Sequence, residues 1–505
     1  MTRRASLALA LLALTPIALT PFACRRATPA LPPNVLLVVW DTVRADHLGL
    51  YGHPRPTTPR LDAFAKEARV FDDCVAVGST TVPSHASMFT GLLPVEHGLS
   101  NQAPHMDASF VTLAETLRDA GYRTYLFSAN PQLQEATGLT QGFDLAEYPW
   151  SPAHLQEAIR IVRAKLDPED RSNDLPEQLA SQRLATSSLV AVAPLPEKAL
   201  LRWLEREKGR PFFATLNYME AHQPLIPSRA ARGRLMTPEQ VTASYQVDRR
   251  WNALWDFTLG LGTYTPEEIE LTRLTYDAAL LELDDSFYGL LEALRARGEL
   301  ENTVVVLVSD HGEHLGEKHL LDHQFSVYEP LMRVPLVVWY PPRVPAGREP
   351  APVTHMDLFP TLLELAGVPI PTVSTAVSLL HPVSGRARLG AYPAVMTAVL
   401  SQARKRFPEF DPKPFERTLQ AFYREPWKLI VGSDGSRSLY DLKSDPREER
   451  DLAPLQRDVV TSLVGDLTSL LATTRKPSHP ATAIEPDPET RARLEALGYV
   501  EERRP

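Results

Sequence analysis

Hydrophobic and polar positions in this chain segregate into blocks. Asn34-Val-Leu-Leu-Val-Val-Trp40 is an apolar run that stops at Asp41. Thr124 to Ser128, Pro211 to Tyr218 and Thr303 to Val308 repeat the pattern, and Val334 to Tyr340 adds a fifth case. Short apolar runs without alternation predict strands buried on both faces, as in a parallel sheet. Thr112 to Ala120 and Tyr276 to Arg297 have helical periodicity. Helices alternating with apolar strands predict an α/β fold, a large mostly parallel sheet flanked by helices. Further on, Pro426 to Val431 and Ser438 to Leu442, joined by Ser433-Asp434-Gly435, predict a hairpin sheet. A helix over Leu455 to Leu471 would cover it, giving a small C-terminal α+β subdomain. Tyr148 to Ser188 is polar and irregular and predicts an insertion near the site mouth; Ile370 to Ala391 predicts a loop-rich connector.

Three of the apolar runs lead into ionisable residues: Asp41, then Glu220 and His222, then Asp310 and His311. Ligands of open α/β sheets sit beyond the carboxyl ends of the strands. The pattern therefore gathers Asp41, His222, Asp310 and His311 at one rim.

Composition narrows the class. The chain has 505 residues, 44% of them hydrophobic, enough for a large core, and its net charge of −9 argues against a nucleic-acid partner. Arg3 and Arg4 precede an apolar stretch from Ala5 to Ala23 that ends at Cys24. This is the pattern of an export signal, and Pro16 and Pro21 argue against a membrane-spanning helix. Expected boundaries are 1–24 for a signal peptide or lipoprotein signal, 34–400 for the catalytic domain, 415–475 for the C-terminal subdomain and 476–505 for a tail. The chain is expected in the periplasm or as a membrane-anchored lipoprotein, anchored through its N-terminus. The only other cysteine is Cys74, so no disulfide framework is expected.

Asp41, Asp310 and His311 supply two carboxylates and an imidazole, a donor set for a divalent cation. Carboxylate oxygen suits Mg, Mn or Ca, and the imidazole moves the balance toward Mn or Zn. Thr80-Thr81-Val82-Pro83-Ser84-His85 opens a predicted helix. A hydroxyl there meets backbone N–H groups and the positive end of the helix dipole, which favour an anionic ester. The rival reading of Thr81 is a simple helix cap.

Thr81-x-Pro83-Ser84-His85, with Ala-Ser-Met-Phe-Thr90-Gly91 after it, resembles the sulfatase signature, Cys/Ser-x-Pro-Ser-Arg ahead of an apolar pair and Thr-Gly. Asp41 to Gly49 with Tyr51-Gly52 is similar to the metal-binding opening of sulfatase-like proteins. Ser309-Asp310-His311-Gly312-Glu313 with Leu315-Gly316-Glu317 is similar to their second metal segment. Tyr328-Glu329, Arg333-Val334-Pro335-Leu336, Asp357 to Gly367, and Leu439 to Ala453 resemble later markers. The resemblance runs from about Asn34 to about Ala453, with Ala496 to Tyr499 added.

It implies a sulfatase-like hydrolase of the alkaline phosphatase superfamily, with that superfamily's fold. One divalent cation is implied, Ca, Mg or Mn with Zn as a further candidate, held by Asp41, Asp310, His311 and Thr81. Thr81 takes the position of the nucleophile, His85 that of the signature arginine and His222 that of a substrate-contacting histidine. His323 takes the place of a Lys or His that donates to the substrate anion or leaving group. Two departures stand out. Sulfatases convert Cys or Ser to formylglycine; Thr81 is neither, so no formylglycine is expected. Thr42 stands where many sulfatases have a further acidic ligand.

The expected function is metal-dependent hydrolysis of a sulfate or phosphate ester of a small molecule, glycan or lipid. The alternatives are a phospho-alcohol transferase acting on envelope glycans or lipids, and a catalytically inactive anion- or glycan-binding homologue.

Overall fold

Side chains of the apolar runs have no polar face to offer water, so they form the middle of one sheet. A computed structural model of the protein describes residues 32–173, 189–206, 209–372, 375–477 and 481–496. The expected export signal and Cys24 lie outside the described residues, as do part of the 148–188 stretch and the end of the tail. Among the described residues no helix is long and apolar enough to cross a membrane.

The strands β1 (Asn34–Trp40), β2 (Arg69–Phe71), β3 (Arg123–Ser128), β4 (Leu145–Glu147), β5 (Phe212–Tyr218), β6 (Thr303–Val308), β7 (Leu336–Trp339) and β8 (Gly347–Glu349) make one sheet. Its order is β8-β2-β7-β6-β1-β5-β3-β4. β1 is central and parallel to both neighbours, with Val39 level with Asn217 on one side and Val308 on the other. That register carries Asp41 and Asp310 to the same height beyond the strand ends. Successive β1 side chains face opposite ways: Leu36, Val38 and Trp40 join one core cluster, Val35, Leu37 and Val39 the other.

The helices that bear on the site and core are α1 (Thr81–Thr90), α2 (Leu113–Asp119), α3 (Leu155–Lys165), α4 (Pro266–Ala296), α5 (Arg457–Thr473) and α6 (Pro488–Ala496). Tyr276, Leu280, Leu283 and Phe287 of α4 cover the Trp40 face of the sheet, while Leu113, Ala114 and Leu117 of α2 cover the other. The sheet is thus mostly parallel with helices on both faces, the expected α/β class.

Four details differ from the sequence reading. β7 is antiparallel to β6 and β2, because the segment before it holds only short turns, two-residue strands and a four-residue α-helix, with no long crossover helix. The predicted strand at Val334 to Tyr340 is split: Pro335 has no N–H for a ladder, and Arg333–Val334 pairs with Cys74–Val75 instead. α4 starts at Pro266, where Thr265 and Glu268 form a capping box, well before Tyr276. The stretch read as irregular contains α3, whose Ala158, Ile161 and Val162 are buried at helical spacing.

The predicted hairpin belongs to a four-stranded antiparallel sheet, β9 (Arg388–Tyr392), β10 (Leu419–Arg424), β11 (Trp427–Gly432) and β12 (Arg437–Asp441), in that order. β9 overlaps the end of the Ile370 to Ala391 stretch expected as connector. Val460, Leu463 and Leu467 of α5 bury against Phe422, Leu429 and Leu439. Lys428 of β11 ties this sheet to the main body: its buried Nζ sits 2.9 Å from Glu329 Oε1 and 2.8 Å from Glu448 Oε1. Removing the cation leaves two enclosed carboxylates facing one another, and breaking a buried pair in this way costs about 3–5 kcal/mol. Lys428→Met is therefore expected to lower the urea-unfolding free energy by about that amount. A loss below about 1 kcal/mol would show that the ammonium does not hold the two layers together.

Candidate active site

Thr81 is the first residue of α1, and Thr80 is its N-cap. The simple-cap reading of Thr81 therefore fails. Its Oγ lies 3.3 Å from Asn130 Nδ2 and 3.5 Å from His311 Nε2, not on its own helix backbone. Gly91 closes the helix in the left-handed conformation.

Asp41 follows β1 directly and is fully buried. Its Oδ2 accepts from Asn130 Nδ2 at 2.9 Å and Asn217 Nδ2 at 3.4 Å, while Oδ1 has no hydrogen-bond partner among the described residues. Asp310, two residues past β6, is its counterpart: Oδ1 accepts from the backbone N–H of Thr42 (3.2 Å) and of His311 (2.8 Å). Its Oδ2 has no hydrogen-bond partner among the described residues and faces His311 Nε2 at 3.4 Å and His85 Nδ1 at 3.6 Å. A buried polar atom left in this way calls for a partner. Thr42 does not supply a ligand in place of the missing acid. At φ +60° its hydroxyl donates to the Asp41 carbonyl at 2.7 Å.

The hydrogen bonds select the histidine tautomers. His311 Nδ1 donates to the Gly312 carbonyl at 2.9 Å, which turns the Nε2 lone pair toward Thr81 and Asp310. A side chain at Gly312 would collide with the Pro330 carbonyl, so glycine lets the chain pass close behind His311. His85 Nδ1 donates to the Thr81 carbonyl at 3.0 Å, and His222 Nδ1 to the Gln223 carbonyl at 2.5 Å. Burial holds His311 well below the ordinary imidazole value, His85 at about 4 and His222 at about 3.

His323 is the opposite case. Burial alone would depress it, but Asp322 and Glu313 outweigh that and raise it well above the usual value. Its Nδ1 lies 2.8 Å from Asp322 Oδ1 and 3.6 Å from Glu313 Oε2. Trp255 Nε1 donates to the other Asp322 oxygen at 3.1 Å. The His323 ring centre is 4.6 Å from that of His311 and 5.2 Å from that of His222. One cationic imidazole thus stands beside neutral ones.

The donor set fits a divalent cation. One ligand atom each from Asp41, Asp310 and His311 lies within 4.8 Å of the others, with Thr81 Oγ alongside. Burial raises Asp41 to about 6 and, with the repulsion of Asp41 added, raises Asp310 well above the carboxylate range. Two enclosed like charges repel, and a cation between them removes the penalty. A second His/Asp group, His47, His53 and Asp277, fits less well, since Arg55 Nη1 already neutralises Asp277 at 2.6 Å.

Asp41, Thr81, His85, His222, Asp310, His311 and His323 are therefore brought to one place. Sequence reasoning missed Asn130, Asn217, Asp322 and Glu313. Asn217 carried a usable signal, as a polar residue inside an otherwise apolar strand. Asn130 lies just past β3, where only the tertiary fold turns its amide onto Asp41 and Thr81.

Known proteins resemble this chain over most of its length. A sulfatase family profile matches residues 33–368, and a profile for the C-terminal part of N-sulphoglucosamine sulphohydrolase matches residues 316–476. An N-acetylglucosamine-6-O-sulfatase of Bacteroides thetaiotaomicron is 24% identical over 484 residues, covering 82% of each chain. A choline-sulfatase of Rhizobium meliloti is 25% identical over 448 residues, covering 85% of this chain and 84% of its own. Among solved structures, the phosphonate monoester hydrolase of Agrobacterium radiobacter superposes with a TM-score of 0.67 at 21% identity, covering 87% of this chain and 95% of its own. BT4656 in complex with its substrate D-glucosamine-2-N,6-O-disulfate superposes at 0.63 with 20% identity, covering 87% and 98%. With a profile match across 33–368, the chain belongs to the sulfatase family, hydrolases of sulfate esters within the alkaline phosphatase superfamily.

Proposed function

We propose that this sulfatase-family hydrolase uses the unmodified Thr81 hydroxyl as its nucleophile on a sulfate ester. The observation that carries this reading is the approach of Thr81 Oγ to His311 Nε2 and Asn130 Nδ2, beside Asp41 and Asp310. Asp41, Asp310, His311 and Thr81 would hold the cation, whose Lewis-acid charge favours the ionised hydroxyl and an anionic ester.

The residues divide the proton work. We assign His222 as the acceptor of the Thr81 proton, since its Nδ1–H donates to the Gln223 carbonyl and makes Nε2 the acceptor nitrogen. Thr81 Oγ bonds to sulfur, the bond from sulfur to the alcohol oxygen breaks, and His323 gives its proton to that oxygen. Asp322 and Glu313 keep His323 charged for the step. Water then attacks the same sulfur and passes a proton to neutral His323. The bond from sulfur to Thr81 Oγ breaks, hydrogen sulfate leaves, and Thr81 Oγ recovers its proton from His222. Asn130 Nδ2 orients the hydroxyl throughout. His85, in place of the signature arginine, holds the first turn of α1 by its bond to the Thr81 carbonyl.

A second reading is hydrolysis of a phosphate or phosphonate ester. The Thr81 side chain itself favours it. A threonine ester has no aldehyde hydrate from which the anion could be expelled, so water has to attack the central atom. The Arg3 to Ala23 pattern further supports an exported enzyme.

Thr81→Ala is expected to lower hydrolysis of nitrophenyl sulfate by about 10³-fold or more, as removal of a nucleophile does. Initial rates on nitrophenyl sulfate, nitrophenyl phosphate and bis(nitrophenyl) phosphate check this. Near-full activity of the variant would remove Thr81 from the role, and preference for a phosphate ester would favour the second reading.

Divalent cations should stabilise the protein by mass action, about 2.7 kcal/mol at a hundredfold excess over Kd. In Asp310→Asn, which lacks a ligand but also lacks the carboxylate repulsion, the metal-free protein should unfold no earlier, while the cation-dependent rise in Tm disappears. Thermal unfolding with Ca, Mg and Mn, each against chelator, reads both effects; an equal rise in both proteins would place the cation elsewhere.

A further inference from the structure

Two arginines are enclosed together at a place that shares no residue with the Thr81 cluster. Arg232 ends the short helix Arg229–Arg232, and Arg249 follows the helix Pro238–Ser244; they are 0% and 3% exposed. Both reach Ser244. Arg232 Nη1 donates to its hydroxyl at 2.7 Å and Arg249 Nη1 to its carbonyl at 3.0 Å. The other acceptors are Thr275 Oγ1 of α4 and the Pro227 carbonyl for Arg232, and the Ser172 hydroxyl for Arg249. Every one of them is uncharged. Among the described residues neither guanidinium pairs with a carboxylate. We propose that Arg232 and Arg249 form a buried binding site for one monovalent anion, a halide such as chloride. The site does not depend on the hydrolase reading above.

Charge sets the stoichiometry. The acids of this neighbourhood are engaged by other partners. Glu282 holds Lys165 at 2.8 Å and the Ser228 N–H at 2.9 Å. Asp167 pairs with Arg229 at 2.6 Å and Asp248 with Arg250 at 2.6 Å. Asp170 reaches Arg249 only through Ser172, whose hydroxyl donates to Asp170 Oδ1 at 2.6 Å and accepts from Arg249 Nη2 at 2.8 Å. Two guanidinium charges against one relayed carboxylate leave a single positive charge. The Tyr245 ring, 4.5 Å from the Arg232 guanidinium, offsets part of it without carrying a negative charge of its own. One monovalent anion balances the remainder, whereas a sulfate or phosphate dianion would reverse its sign.

Geometry supplies the donor. Arg249 Nε is shielded from solvent and has no hydrogen-bond partner among the described residues. A buried polar group left in this way signals a partner such as an ion. An anion against the Nε edge accepts a charge-assisted hydrogen bond from it. Burial, with the repulsion of Arg232 added, lowers Arg249 to about 9, which still leaves it charged at neutral pH. The pair therefore keeps its cations and gains from a counterion.

The surroundings select the class of anion. Met236, Val241, Val247, Leu271 and Leu274 pack with Tyr245 in an apolar cluster. An ion entering it gives up its water, and that cost rises steeply with charge. A singly charged, weakly hydrated halide meets this condition better than a dianion.

Thermal unfolding of the full chain at fixed ionic strength tests the site, with sodium gluconate exchanged stepwise for sodium chloride or sodium bromide. Both halides should raise Tm by about 2 °C along a saturable curve, as a ligand bound only by the folded state does. Arg249→Met, with Arg249→Gln as a second variant, should lose that rise. Crystals of the unaltered protein soaked in bromide should show an anomalous peak within hydrogen-bond reach of Arg249 Nε, a measurement that decides even where a variant does not fold. Absence of the peak, a Tm that climbs without saturation, or an equal halide response in both Arg249 variants would overturn the proposal.

Discussion

Two carboxylates, Asp41 and Asp310, are driven into the same dry space by the pairing of β1 with β6. The strands are parallel and in register, so their ends cannot stagger, and the acids that terminate them arrive side by side. Asn130, Asn217 and two backbone N–H groups satisfy one oxygen of each. Of the remaining oxygens, Asp310 Oδ2 faces His311 Nε2 and His85 Nδ1, and Asp41 Oδ1 has no hydrogen-bond partner among the described residues. Such an arrangement is costly as it stands and would be relieved by a cation. The position of α1, the tautomer of His311 and the glycine behind it all serve that requirement.

Electrostatics then divides the site in two. On the cation side, burial strips His311 and His85 of charge, which leaves neutral nitrogen donors. On the other side, Asp322 and Glu313 hold His323 as a cation only 4.6 Å, ring to ring, from His311. Burial acts on all these imidazoles, so the difference comes from the two adjacent carboxylates. Trp255 pins Asp322 from the far side, which links the acid's position to helix packing rather than to a flexible loop.

The proposed reading departs at three residues from the signature this chain resembles: it sets Thr81 where the signature has Cys or Ser, His85 where it has arginine and Thr42 where a common acidic ligand stands. Each replacement is accommodated by backbone contacts: His85 bonds the Thr81 carbonyl, and Thr42 turns its hydroxyl onto the Asp41 carbonyl. The pocket has fewer charges than the signature would supply, and its remaining positive charge near the reacting atoms is concentrated on His323. The C-terminal sheet, held by Lys428 between Glu329 and Glu448, closes on the segment that follows His323.

The sequence by itself determined the fold class, because apolar runs without alternation can be buried only in a covered, mostly parallel sheet. It also brought Asp41, His222, Asp310 and His311 to one rim, because strand ends fall together in such a sheet. The cap at Thr265, the burial spacing of α3 and the proline that splits Val334 to Tyr340 were local signals equally open to reading. Other features depended on contacts between distant segments, and no local pattern encodes those. Only the tertiary structure decided that Thr81 faces His311 instead of capping its helix, since that depends on how α1 lies against the end of β6. The same holds for Asn130, for the reversed β7, and for Arg232 and Arg249, whose guanidinium groups reach Thr275 and Ser172.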